Sequence, residues 1–184
     1  MLSPFLPRGA RFLMLGSFPP KVERWSMNFY YPNWQNDMWR IFGLAFFGDR
    51  NFFADLEARK FREAQIKKFL SEKKIGVADS AKVVSRLKNN ASDAHLHIVE
   101  PLDILEVLKK IPSCIAVAAT GQKALETVLK SVNAVAPKLG EFAQFEAHGK
   151  SFRLFRMPSS SRAYPMPLEE KAAFYRRMFE MCGI

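Results

Sequence analysis

Two stretches of this sequence gather side chains that can do chemistry without a strong acid or base. The first runs Gly16-Ser-Phe-Pro-Pro20, then Phe29-Tyr-Tyr-Pro-Asn-Trp-Gln-Asn36, then Asp37-Met-Trp39. The second is Met157-Pro-Ser-Ser-Ser-Arg-Ala163, followed by Tyr164. Aromatic rings stack on flat ligands, while amides and short hydroxyls offer neutral hydrogen-bond donors and acceptors. Each residue also has a plainer explanation. The rings of Phe18, Phe29, Tyr30 and Tyr31 suit a core beneath a long loop, Asn36 suits a helix N-cap, Ser17 suits a turn, and the serine run suits a connection. Other chemistries lack their signatures. There is no Gly-x-Ser-x-Gly elbow, and no acid pairs with His95, His97 or His148 for a serine hydrolase. Neither glycine-rich nucleotide motif occurs. His95 and His97 share one side of a strand with no third histidine or CxxC pair nearby in the sequence, so no metal centre is expected.

The two stretches, taken in order, carry a resemblance. A strand ending in Gly16-Ser-Phe-Pro19, the Tyr30-Tyr31 pair, Asn36 three residues before Trp39, and a late Pro158-Ser159 between a strand and the last helix resemble the hypoxanthine-DNA glycosylase branch of the uracil-DNA glycosylase superfamily. Gly76-Val-Ala-Asp79, Ser92-Asp93 and Ala118-Ala-Thr-Gly121 add shorter matches between them. The resemblance implies an enzyme that flips a deaminated base, hypoxanthine or uracil, out of DNA and hydrolyses its N-glycosidic bond, with no cofactor. Asn36 would take the main catalytic role through its amide. Ser17, Phe18, Phe29, Tyr30 and Tyr31 would hold the flipped base, whose stacking is worth about 1–3 kcal/mol in single-strand sites. Ser159, Ser160 and Ser161 would meet DNA phosphates, and Arg162 or Tyr164 would fill the gap left by the base. Related branches carry an Asp or Asn at the third position of the first motif and a His before the late Pro-Ser. Here Phe18 and Met157 stand there, which points away from a carboxylate-driven mechanism and towards amides and backbone N–H groups. The same departures leave a non-catalytic DNA-binding relative as the rival expectation.

Such loops need elements to hold them. Arg11–Gly16 and Cys114–Ala119 read as buried strands, His95–Val99 and Ser151–Met157 as strands, with Ile75–Val77 a further short candidate. Met38, Ile41, Phe42 and Ala45 fall on one helical face, which Asn36 can cap and Gly48 can end. Asp55–Lys74 reads as a charged surface helix whose apolar positions include Leu56, Ile66, Phe69 and Leu70, and Ala81–Asn90 suits helix or strand. Helices are also expected from Pro101 to Lys110, from Gly121 to Lys130 and from Leu168 to about Met181. Alternating strands and helices imply a three-layer α/β/α fold around a mainly parallel sheet of about four strands. Ligands of such sheets bind beyond the carboxyl ends of the strands, where both loops lie.

Bulk composition sets the outer bounds. A chain of 184 residues fits a single domain over 1–184. Its 28 Lys and Arg against 18 Asp and Glu leave a charge of +10, which favours a polyanionic partner or an anionic surface and does not by itself choose between nucleic acid and membrane. The start, with prolines at positions 4 and 7, suits neither a signal peptide nor a spanning helix. Cys114 and Cys182 form no paired motif and read as buried structural thiols. A cytoplasmic protein without a membrane partner is the expectation.

Overall fold

The computed structural model describes residues 2–86 and 96–184. Its centre is a five-stranded sheet in the order β4-β1-β7-β9-β8, formed by β1 (Phe12–Gly16), β4 (Ile75–Asp79), β7 (Ala116–Thr120), β8 (Phe142–Ala147) and β9 (Lys150–Met157). The first four strands in that order are parallel, and β8 closes one edge antiparallel to β9. The expected α/β/α architecture with a mainly parallel sheet is therefore the observed one, with a fifth strand that the sequence reading passed over.

Strand alternation divides the core in two. Phe12 and Met14 of β1, Ile75 and Val77 of β4, Ala116 and Ala118 of β7, and Phe155 and Met157 of β9 face one side. There they meet α1 (Met38–Phe47), α2 (Glu63–Glu72) and α5 (Leu168–Met181). Leu13, Leu15, Val117, Ala119 and Leu154 face the other side, against α3 (Ile104–Lys110) and α4 (Gln122–Leu129). Both faces of the central strands are covered, which is why they read as unbroken apolar runs rather than alternating ones.

Several elements depart from expectation. The charged stretch before Lys74 is helical only from Glu63; ahead of it β2 (Ala54–Asp55) and β3 (Lys60–Phe61) pair as a small ribbon. Leu56 sits on that ribbon's turn, 58% exposed, while Ile66, Phe69 and Leu70 form the buried stripe of α2. The strand expected from His95 is β6 (Leu96–Pro101). It pairs with β5 (Ala81–Arg86) in a separate antiparallel ribbon rather than joining the central sheet. His95, Ser92 and Asp93 lie outside the described residues. Pro101 ends that strand, and α3 starts later, capped by Asp103, whose Oδ1 accepts the Glu106 N–H at 3.1 Å. Gly48 does end α1, in the left-handed conformation at φ 71. Among the described residues no helix is long and apolar enough to cross a membrane.

The order of strands decides where a ligand can sit. From β1 the chain passes α1 and α2 to β4 on one flank, then crosses by α3 to β7 on the other. Because α2 and α3 cover opposite faces, the connections part company at the carboxyl end of β1, the topological switch point of the sheet.

Candidate active site

A cleft of about 480 Å³ opens at that switch point. Its floor comes from the ends of three adjacent strands: Gly16 of β1, Asp79 of β4 and Thr120 of β7. One wall is the loop after β1 and the other is the loop after β9. The walls are joined directly. Asn36 and Ser161 form an antiparallel bridge, and the Asp37 N–H donates to the Ser160 carbonyl at 2.9 Å.

The floor is kept small and its protons are directed. A Cβ on Gly16 would stand 3.1 Å from Asp79 Oδ1 and 3.2 Å from Tyr31 Oη, so both oxygens border the same space above the glycine. Thr120 Oγ1 donates its one proton to the Leu15 carbonyl at 3.0 Å. The 2.8 Å contact between Tyr31 Oη and Thr120 Oγ1 must then have tyrosine as donor. Tyr31 reaches this position through a left-handed backbone, φ 51, uncommon for a residue with a side chain. That twist separates two neighbouring rings: Tyr31 lines the cleft, whereas Tyr30 turns into the core.

Asn36 borders the cleft while holding the start of α1. Its Oδ1 accepts the Met38 N–H at 2.9 Å, an Asx-type turn that fixes the orientation of the amide. The Nδ2 donors and a second oxygen lone pair are not used by that bond. The N-cap of α1 is Asp37, whose carbonyl accepts the Ile41 N–H at 2.8 Å, so Asn36 stands one residue before the expected cap position; one atom of its amide still holds the first helical N–H and the rest borders the cleft.

Charged groups stand behind and around the walls. Asp37, with its side chain 9% exposed, accepts from Lys171 Nζ at 3.3 Å and from Arg162 Nε and Nη2 at 3.4 Å. Lys171, only 1% exposed, also donates to the Ser161 carbonyl at 2.8 Å. Arg40 is buried beside them and donates to the Trp34 and Asn36 carbonyls at 2.8 and 3.1 Å. Burial, and next the neighbouring Arg162, push its pKa down from the ordinary arginine value. At the other end of the serine loop, Tyr175 Oη donates to the Pro158 carbonyl at 2.9 Å. Its pKa is driven well up, first by burial and then by Tyr31, so it stays a donor. Helix α5 therefore grips the serine loop at both ends.

No family model and no curated protein matches the sequence. Among solved structures, a solution NMR structure from Methanosarcina acetivorans, described as a "putative uracil DNA glycosylase", is similar over 99% of this chain and 96% of that one, at 22% identity and a TM-score of 0.64. The chain has that fold. At this identity the likeness concerns architecture, and the site must be argued from its own residues.

The cleft brings together Ser17, Phe18, Tyr31, Asn36, Ser159, Ser160, Ser161, Arg162 and Tyr164. Ser160 is itself largely buried, and Ser159 and Ser161 use their hydroxyl oxygens to accept the Ser161 and Ala163 N–H groups, which leaves their protons to donate. Two of the expected base-holding rings are not there. Phe29 is 4% exposed and packs against Phe5, Tyr30 and Trp39. Tyr30 is 2% exposed and donates its one proton to the Ser3 carbonyl at 2.9 Å, with the Leu2 carbonyl also near at 3.3 Å, and its pKa is raised, first by burial and then by Asp79. Both belong to the core under the loop, the alternative their composition allowed. Met157 is 1% exposed and belongs to the core as well.

Sequence reasoning missed Asp79 as a site residue, although Gly76-Val-Ala-Asp79 had been singled out. Phe18 and Met157 pointed away from a carboxylate-driven mechanism, yet the described lining residues of the cleft include one carboxylate, Asp79. The usable signal was an acidic residue ending an apolar strand next to β1. Lys171 gave no signal at all, because a lysine in the Leu168-Glu-Glu-Lys171 run reads as surface.

Proposed function

We propose that this protein is a monofunctional DNA N-glycosylase that flips a deaminated base, uracil or hypoxanthine, into the cleft and hydrolyses its bond to the sugar. The observation that carries the reading is the bridge holding Asn36 against Ser161 across a cleft at the switch point. It joins an amide suited to a base or a water to a hydroxyl-bearing loop suited to phosphates. The likeness to a structure described as a uracil DNA glycosylase supports the same class.

In such a reaction positive charge grows on the sugar and negative charge on the departing base. With Oδ1 committed to the Met38 N–H, Asn36 offers Nδ2 to a base carbonyl and its remaining lone pair to a water. Asp79, at the foot of the cleft, would accept a hydrogen bond from water or from a base N–H and favour the cationic sugar. Phe18 and Tyr31 supply the rings against which a flipped base would stack. Arg162, braced by Asp37, would serve the phosphates or the vacated stack.

The rival, a DNA-binding protein without turnover, draws on Phe18 and Met157 standing where other branches place polar groups. Incubation with oligonucleotides carrying uracil, hypoxanthine or xanthine opposite each base, followed by alkaline cleavage, decides between them. Strand breaks at uracil or hypoxanthine are expected; intact strands on every substrate, with DNA binding retained, would establish the binding protein instead.

A further inference from the structure

A second depression, also of about 480 Å³ and more open than the first, adjoins the cleft. The two share Arg24, Asn33 and Gln35 as lining, so they form one continuous path rather than separate sites. Beyond those shared residues the second is lined by Trp34 and Arg59. None of the described residues lining it is a carboxylate.

Its two guanidinium groups come from unrelated elements. Arg24 ends the short 3-10 turn Val22–Arg24 in the loop after β1, and Arg59 lies on the turn of the β2-β3 ribbon. Both are exposed. Arg59 takes a left-handed backbone, φ 51, at that turn. Trp34 lines the same depression and is braced by its other contacts. Arg40 lies 4.4 Å from its ring centroid, and Phe61 packs at 5.0 Å. A braced indole, two exposed cations that converge from different elements, and the amides of Asn33 and Gln35 make a set that suits an aromatic base carrying a phosphate.

We propose that this depression is a subsite for the nucleotide next to the flipped one on the same DNA strand, with Arg24 and Arg59 holding its flanking phosphates and Trp34 facing its base. The proposal rests on the DNA-glycosylase reading for the strand's identity, but its chemistry is that of binding. It makes Arg24, which borders both depressions, the residue that spans the flipped nucleotide and its neighbour.

The test compares the intact protein with the double variant Arg24→Gln/Arg59→Gln. The ligand is a short single-stranded oligonucleotide with a central deoxyuridine or deoxyinosine. Affinity is read by fluorescence anisotropy over a series of salt concentrations, and base release is followed in parallel. A control variant, Lys68→Gln/Lys110→Gln, removes the same charge from exposed positions outside both depressions. The groove variant should bind more weakly and lose about 1.4 from the slope of log affinity against log salt, about 0.7 per single-strand phosphate contact. The control should keep the wild-type slope. Equal slopes for groove variant and wild type, or an equal loss in the control, would overturn the subsite. Base release by the wild type together with unchanged slopes sinks the subsite alone. A lost slope with no base release from any oligonucleotide upholds the subsite and sinks the glycosylase reading.

Discussion

The floor of the cleft works because one residue has no side chain. Gly16 lets Asp79 and Tyr31 approach the same space, and Tyr31 is held there by donating to Thr120, whose own proton is spent on Leu15. Gly16→Ala would introduce a methyl 3.1–3.2 Å from both oxygens, tight enough to shift them by tenths of an ångström. Small misplacements of reacting groups are costly, so kcat/KM for base release should fall about tenfold or more while the thermal midpoint changes little. Unaltered kinetics would show that the space over Gly16 is not used. The two cysteines lie apart from this chemistry. Both are buried and free. Burial pushes the Cys114 thiol up to about 12 against the weaker opposing pull of its hydrogen bond to Ala116, and burial also raises Cys182. Neither should react with iodoacetamide at neutral pH until the protein is unfolded; labelling of the native protein would contradict the packing around them.

At the scale of elements, the site depends on α1 and α5 holding two loops together. Lys171 of α5, itself buried, joins Asp37 at the head of α1 to the Ser161 carbonyl. Removing one partner of a buried pair costs about 3–5 kcal/mol when the other charge is left uncompensated, but Arg162 still pairs with Asp37. Lys171→Met should therefore lower stability by less than that, about 1–3 kcal/mol for the Ser161 carbonyl left without its donor, read from the urea midpoint at constant slope. A midpoint equal to wild type would mean that the staple contributes nothing. The sequence was legible where a pattern has one meaning. Arg11–Gly16 and Cys114–Ala119 fell within a residue or two of β1 and β7 because of their short apolar runs, and Leu168–Met181 matched α5 because its apolar positions recur at helical spacing among charges. Strand β8 was missed because Phe142 and Phe145 are three apart, a helical spacing. In the extended chain that spacing sends them to opposite faces, and each reaches a different half of the core. Tyr30 and Tyr31 show the same limit at the site, since only the positive φ at Tyr31 decides which ring enters the core.

On the scale of the whole molecule, the switch point beneath both loops follows from strand order, which pairing partners far apart in sequence determine and local pattern does not. The +10 charge fits a polyanionic partner but cannot choose a reaction. The proposed catalysis rests on Asn36, whose amide oxygen holds the Met38 N–H and whose side chain borders the cleft. Its direct test is single-turnover release of free base from deoxyuridine- and deoxyinosine-containing DNA by wild type and Asn36→Ala, with DNA affinity and thermal midpoint measured on the same samples. The wild type should release base, and the variant should lose about 10²–10³ in rate, as when a single transition-state donor is removed. Its DNA affinity should be nearly unchanged, and its stability should fall by about 1 kcal/mol for the lost hydrogen bond to the Met38 N–H. Base release by Asn36→Ala at the wild-type rate, or no release by the wild type from either substrate, would contradict the account.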